Sequence, residues 1–280
     1  MNLSSAASDL ALIEDAAREA GAIARNAFGA AFKTWDKSDA SPVTEVDLAI
    51  DTFLKDRLRA ARADYGWLSE ETADNAERLS KERVFIVDPI DGTRAFIDRV
   101  PEFCVSIGIA QKGSAWLGAV YNPIKDEMFL GGDGVPATLN RAPIQATARR
   151  ELAGAKLIGR RNFYDSDRWP APWPPLDLRW INSIAYRLSL IARGDFDGAI
   201  MLGFKNEWDT AGGVAIAQAA GARVSDQFGA AILFNQPEPR SAGCIAAGAA
   251  LHPLLRERVQ HLPHPREWLP GRTTPPKETT

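Results

Sequence analysis

Apolar residues recur at helical spacing near the start of the chain. Leu10, Ile13, Ala17, Ala20, Ile23 and Ala24 fall on one side of a segment covering 10–28, which predicts an amphipathic helix. A polar stretch over 33–41 leads to Pro42. Val46, Ile50, Phe53, Leu54 and Leu58 predict a second helix over 44–63, with Thr44-Glu45-Val46-Asp47 as a capping-box candidate. The pattern then turns to strands. Residues 65–69 are short and strand-like. Val84-Phe85-Ile86-Val87 reads as a buried strand, and Pro89 is expected to stop it, because proline cannot continue the ladder. Segments 104–111 and 115–121 predict a hairpin around Lys112-Gly113, and 128–130 a further short strand.

Near residue 150 the character changes. A strand is expected at 156–159, and a proline-punctuated loop at 169–175. Then come a helix over 183–193, a strand over 199–202 and a small-residue helix over 208–220. Short buried strands at 221–225 and 243–247 and a closing helix at 251–259 complete the pattern. The expected organisation is an N-terminal α+β half (1–150), a C-terminal α/β half (151–262) and a mobile, proline-rich tail (263–280). No internal repeat is visible.

Composition narrows the class. The 280 residues are 45% hydrophobic and 25% charged, as in an ordinary globular protein of two modest domains or one large α/β unit. A net charge of −3 argues against nonspecific nucleic-acid binding. No apolar run approaches a membrane span, and no secretory signal is visible. Cys104 and Cys244 lie in apolar surroundings and read as reduced core residues, which fits the cytoplasm. The three histidines, His252, His261 and His264, sit near the C-terminus and read as decoration of a terminal helix and tail. That position leaves no histidine for a zinc site or a triad with the centre of the chain. No Walker A or G-x-G-x-x-G string is present.

The chemistry concentrates in Val87-Asp88-Pro89-Ile90-Asp91-Gly92-Thr93. A strand ending in Asp delivers a carboxylate to the mouth of a sheet, where α/β sheets bind ligands. The Ile90 carbonyl is offered to the same region, and Asp91 reaches back toward Asp88. Gly92 lets the backbone come close to an anion, and its N–H and that of Thr93 can donate to one. Asp-Gly alone is common turn chemistry. The whole string arises by chance in roughly one in 10^5 chains. Taken singly, the other acids have plain readings: Glu70 and Glu71 as a solvated acidic run, Asp209 as a first-turn acid favoured by the helix dipole, Asp47 as a cap.

Together, in order and spacing, these segments resemble the inositol monophosphatase superfamily of magnesium-dependent, lithium-sensitive phosphatases. The resemblance rests on Ser41-Pro42-Val43-Thr44-Glu45-Val46-Asp47, Ser69-Glu70-Glu71, Asp88-Pro89-Ile90-Asp91-Gly92-Thr93, and Trp208-Asp209-Thr210-Ala211-Gly212-Gly213 with Ala219-Ala220-Gly221. It implies a layered α-β-α-β-α sandwich. It also implies that Glu70, Asp88 and the Ile90 carbonyl bind one Mg²⁺, and that Asp88, Asp91 and Asp209 bind a second. Thr93, supported by Asp47, orients and helps deprotonate the attacking water. The Gly92 and Thr93 amides hold the phosphate, and Glu71 stands behind the ligands. An all-oxygen donor set without histidine suits Mg²⁺ or Mn²⁺. Lithium inhibition and a homodimer are further expectations of the resemblance.

Family substrates include inositol monophosphates, 3′-phosphoadenosine 5′-phosphate (PAP), histidinol phosphate and sugar bisphosphates. Inositol-specific members carry an acid several residues before the metal-binding Trp-Asp. Ile200-Met201-Leu202-Gly203-Phe204-Lys205 has none. Phe96-Ile97-Asp98-Arg99 with Glu102-Phe103, and Glu207-Trp208-Asp209-Thr210-Ala211, are similar to the 3′(2′),5′-bisphosphate nucleotidase branch, which favours PAP. Arg187 falls where that branch has a basic residue, and a second phosphate needs a cation. An exposed Arg on an amphipathic helix is the plain alternative. Gly92-Thr93-Arg94-Ala95-Phe96 also resembles the histidinol-phosphatase branch. Inositol-1-monophosphatase and histidinol-phosphatase stay open as alternatives. So does a catalytically silent metal- and phosphate-binding regulator.

Overall fold

The computed structural model describes residues 3–38, 40–166 and 169–267. Helix α1 (Leu3–Ala27) leads through a hairpin of β1 (Thr34–Asp36) and β2 (Pro42–Thr44) into α2 (Glu45–Ala61). A seven-stranded sheet follows: β3 (Gly66–Ser69), β4 (Arg83–Asp91), β5 (Cys104–Gln111), β6 (Ser114–Asn122), β7 (Glu127–Gly132), β8 (Val135–Leu139) and β9 (Ala142–Pro143). The strands lie in that order, β3 parallel to β4 and the later pairs antiparallel. The short α3 (Thr93–Ile97) interrupts the chain between β4 and β5.

The second half supplies β10 (Lys156–Ile158), α4 (Arg161–Tyr164), β11 (Asp177–Arg179), α5 (Ile184–Arg193), β12 (Gly198–Asn206), α6 (Glu207–Ala219), β13 (Ala222–Ser225), β14 (Arg240–Gly248) and α7 (His252–Val259). Its five strands run in the order β11-β10-β12-β14-β13.

Three apolar cores separate five layers. Ile13, Ala17 and Ala20 of α1 and Ile50, Leu54 and Leu58 of α2 pack against Phe85, Val87, Val105 and Ile107. Residues on the other face of the same sheet, Ile86, Cys104 and Val120, face α5 and α6. Those two helices meet Ala199, Met201, Cys244 and Ala246 of the smaller sheet on their other side. Leu157, Ile200, Ile245 and Ala247 then turn outward onto Leu251, Leu255 and Val259 of the α7 region and onto Tyr164 and Trp169. The result is the expected α-β-α-β-α sandwich. Both faces of the larger sheet are covered, which explains why β4 reads as a continuous apolar run rather than an alternation.

Several local expectations change. Pro89 does not end β4. The register steps from Asp88↔Ser106 to Asp91↔Cys104, so Pro89 and Ile90 form a bulge opposite one residue and the strand continues to Asp91. The polar stretch over 33–41 contains strand β1, helix α1 starts earlier than expected, and α3, β8, β9 and β11 carried no sequence signal. Lys112 (φ 51°) and Gly113 (φ 81°) make the two-residue turn that the hairpin requires. His252 is fully buried with its Nε2 3.0 Å from Ser225 Oγ, so it is a core residue rather than decoration. Burial first, and the Arg223 and Arg256 charges after it, lower its pKa to about 4. His261 packs edge-on to Trp169, and His264 stacks on Phe228. Of the tail expected from 263, residues 263–267 dock on the body through Gln227 and Glu238, and 268–280 lie outside the described residues.

Helix α6 sits unusually close to the larger sheet. A Cβ on Gly118 would lie 2.2 Å from the Gly212 carbonyl oxygen, and one on Gly108 2.9 Å from the Gly212 nitrogen. These contacts set the height of α6 above the sheet, and with it the position of Asp209 in its first turn. Gly118→Ala is expected to destabilise the fold by about 1–3 kcal/mol through overpacking. Urea unfolding, with unchanged m-value, measures this.

Candidate active site

The carboxyl end of β4, its bulge and the first turns of α3, α5 and α6 converge on one cleft of about 280 Å³. Its wall includes Glu70, Asp88, Ile90, Asp91, Gly92, Thr93 and Asp209. Residues that are 139 positions apart in the chain, Glu70 and Asp209, therefore share a cavity.

Each acid is delivered by its own element. Glu70 follows β3, and its N–H donates to the Val87 carbonyl at 3.2 Å, which ties the corner to β4. Ser69 and Thr72 on either side of the two glutamates donate to Asp51 of α2. Asp88 precedes the bulge. One of its oxygens, Oδ1, is buried with no hydrogen-bond partner among the described residues. Asp91 follows the bulge and receives the start of α5: Ser183 Oγ donates at 2.7 Å and the Ala185 N–H at 2.5 Å. Asp209 stands in the first turn of α6, where its Oδ2 accepts from the Asn206 N–H at 3.3 Å. Its capping role and its place in the cleft coexist.

Gly92 enters α3 at φ 100°, a conformation that glycine tolerates. A Cβ there would also lie 3.0 Å from the Glu102 carbonyl oxygen. Thr93 Oγ1 lies 3.1 Å from both Asp47 Oδ1 and the Ile90 carbonyl oxygen. The other Asp47 oxygen is held by the Thr44 N–H at 2.9 Å and the Thr44 hydroxyl at 2.5 Å, so the capping box predicted for α2 orients Asp47 toward Thr93.

The electrostatics follow from crowding. Burial raises the pKa of Asp88 well above the usual carboxylate range, reinforced by the charges of Glu70, Asp91 and Asp209. Asp209 is raised in the same way, by burial and then by Asp91 and Glu70. Asp91 rises to about 6 through burial, against the lowering by its Ser183 and Ala185 donors. Asp47 rises to about 6 and Glu71 to about 7, burial leading in both.

Lys37 was not anticipated. It lies just beyond β1, and its Nζ donates to Glu70 Oε1 and Glu71 Oε1, each at 2.7 Å. Burial works against its charge, but the two glutamates prevail and raise its pKa. With Lys37 in place and Asp91 engaged by α5, no three His, Cys, Asp or Glu side chains among the described residues are set as they stand to hold one ion. The donor set nevertheless fits a hard cation: clustered carboxylate oxygens, one of them buried without a partner among the described residues, and no nitrogen or sulfur ligand.

Arg187 does not reach the cleft. It is 6% exposed, and its Nε and Nη2 donate to the Ile181 and Asn182 carbonyls at 2.7 and 3.2 Å. Burial lowers its pKa to about 10. The arginines on the cleft wall are Arg94 and Arg160, accompanied by Trp180 and Asn182. Arg94 is visible in sequence only within the Gly92–Phe96 string, and Arg160, Trp180 and Asn182 carry no local signal. The Ser183 N-cap was legible as a helix start but not as an Asp91 ligand.

A profile of the inositol monophosphatase family matches residues 7–264. Inositol monophosphatase 3 of Solanum lycopersicum is 34% identical over 227 residues, covering 77% of this chain and 84% of that protein. The Nus factor SuhB of Escherichia coli (strain K12) is 31% identical over 230 residues, covering 76% and 83%. Among solved structures, the extragenic suppressor protein suhB of Bartonella henselae aligns with a TM-score of 0.79 at 25% identity, over 91% of this chain and 99% of that one. An inositol monophosphatase from Anabaena sp. PCC 7120 aligns at 0.71 with 25% identity, over 93% and 98%.

Acids whose pKa is higher folded than unfolded bind extra protons in the folded state. Their stabilisation is full below about pH 4 and is lost as pH rises through about 6. The metal-free chain in chelator is therefore expected to melt several degrees lower at about pH 7.5 than at about pH 5. Asp88→Asn should flatten that slope. Differential scanning fluorimetry of both proteins across the range reads the effect.

Proposed function

The chain belongs to the inositol monophosphatase family and is a phosphomonoesterase hydrolase, and we propose that it releases phosphate from a small phosphorylated metabolite using Mg²⁺-activated water. The observation that carries this reading is the gathering of Glu70, Asp88, Asp91 and Asp209 around one cleft with the Thr93–Asp47 pair at its edge. Glu70, Asp88, the Ile90 carbonyl, Asp91 and Asp209 would hold the cations. When bound, Mg²⁺ lowers the pKa of a coordinated water and neutralises charge on the phosphoryl oxygens.

The protein's own groups do the positioning. Thr93 accepts a hydrogen bond from the attacking water while its hydroxyl donates to Asp47 Oδ1. Asp47 is kept in one orientation by Thr44, so the pair has a fixed direction. The Gly92 and Thr93 amides at the head of α3 orient the phosphate. Lys37 bridges Glu70 and Glu71, so a cation held by Glu70 would share that carboxylate with the Lys37 ammonium. No cysteine or histidine nucleophile is required, and Cys104, buried with a raised pKa, is unsuited to be one.

For the substrate we favour a bisphosphorylated nucleotide of the PAP type. Two arginines on the cleft wall support it, as does the absence of an acid in β12 before Asp209. Inositol 1-phosphate is the second reading, favoured by the names of the relatives. Phosphate release from PAP, inositol 1-phosphate, histidinol phosphate and fructose 1,6-bisphosphate separates these readings.

Asp209→Asn and Asp91→Asn are each expected to lower Mg²⁺-dependent kcat/KM by about 100-fold or more while the chain stays folded. Thr93→Ala should lower kcat by about 10²-fold with little change in KM. Steady-state phosphate release, with circular dichroism on each variant, checks both. Full activity in Asp209→Asn would remove that side chain from the site.

A further inference from the structure

We propose that Arg160, laid on the indole of Trp180, is a subsite for a second anionic group of the substrate, a phosphate separate from the one that is cleaved. The inference rests on the phosphatase reading and specifies where discrimination among its substrates resides.

The placement follows from the smaller sheet. Strands β10 and β11 are parallel, with Ile158 level with Arg179, so the residues just past their carboxyl ends emerge side by side. Those residues are Arg160 and Trp180. The Gly159 N–H donates to the Arg179 carbonyl at 2.9 Å, which extends the pairing up to the turn. Gly159 itself is packed under Tyr164, since a Cβ there would meet that ring at 2.5 Å. The turn that presents Arg160 is therefore fixed from below.

The Arg160 guanidinium carbon lies 4.3 Å from the centroid of the Trp180 ring. The Trp180 Nε1 donates to Asn182 Oδ1 at 3.3 Å, and Asn182 is held in turn by Glu102 at 3.0 Å. Arg187 also lies against the indole, at 4.1 Å, but its Nε and Nη2 donate to backbone carbonyls and it is almost fully buried. Arg160 differs: it is exposed, its guanidinium rests on the indole, and it lines the same cleft as Asp88 and Asp209. Stacking on an aromatic face steadies a guanidinium while leaving its N–H edge free for a planar, two-point grip on phosphate. Arg94 stands on the same cleft wall and adds positive charge.

The test is equilibrium binding to the full chain, with Ca²⁺ in place of Mg²⁺ to suppress turnover, using adenosine 3′,5′-bisphosphate and adenosine 3′-monophosphate. The wild-type chain is expected to prefer the bisphosphate by about tenfold or more. Arg160→Gln and Trp180→Ala should collapse that ratio toward one, whereas Trp180→Phe should keep most of it. Equal affinities in the wild-type chain, or a preference that survives Arg160→Gln, would overturn the proposal. If Trp180→Ala melts, Arg160→Gln and Trp180→Phe still decide. A preserved preference with no Mg²⁺-dependent phosphate release from any ester would sink the phosphatase reading and leave the subsite standing.

Discussion

Four or five carboxylates repel one another inside a volume that excludes most water. This is the constraint around which the rest of the fold is arranged. Asp88, Asp91 and Asp209 are buried and raised in pKa by desolvation, Asp88 and Asp209 also by neighbouring acids, and no local sequence preference brings them together. Only tertiary structure holds such charges at close quarters. The energy for it comes from three apolar cores, two at the outer helix layers and one that spans both sides of α5 and α6. A binding site of this kind is a region where the protein stores unfavourable electrostatics and waits for a counter-charge.

The accuracy of the arrangement comes from backbone devices rather than from the acids. A bulge at Pro89 and Ile90 turns Asp88 and Asp91 toward the same side of β4. The start of α5 grips Asp91 through Ser183 and Ala185, and the cap of α2 aims Asp47 at Thr93. Contact between α6 and Gly108 and Gly118 determines how far Asp209 stands from the sheet. Each device joins a local hydrogen-bonding rule to a position in the cleft, so the site is built twice: once as secondary structure and once as chemistry.

That double construction governs what could be read from the chain. The helices with a strong apolar stripe and the hairpin at Lys112-Gly113 were legible because their periodicity and turn chemistry are local. The five-layer class followed from the family resemblance. The acids around Asp88 were legible through spacing. Pro89 misled, because a bulge relieves proline's missing donor, and nothing nearby in the sequence announces that. His252 looked like surface decoration because its burial depends on β13 and β14, which come from elsewhere in the chain. Arg187 looked like a ligand because its charge is visible in sequence, whereas the two carbonyls that occupy it are not. Lys37 meets Glu70 across 33 positions and Arg160 meets Trp180 across 20, beyond the reach of any local pattern.

The small hairpin that carries Lys37 bears on how the two adjacent glutamates are tethered. Lys37 stands in the turn between its two short strands, and its ammonium joins Glu70 and Glu71 through one shared cation. Because the hairpin belongs to neither large sheet, that tether is set apart from the hydrogen-bonded layers beneath it.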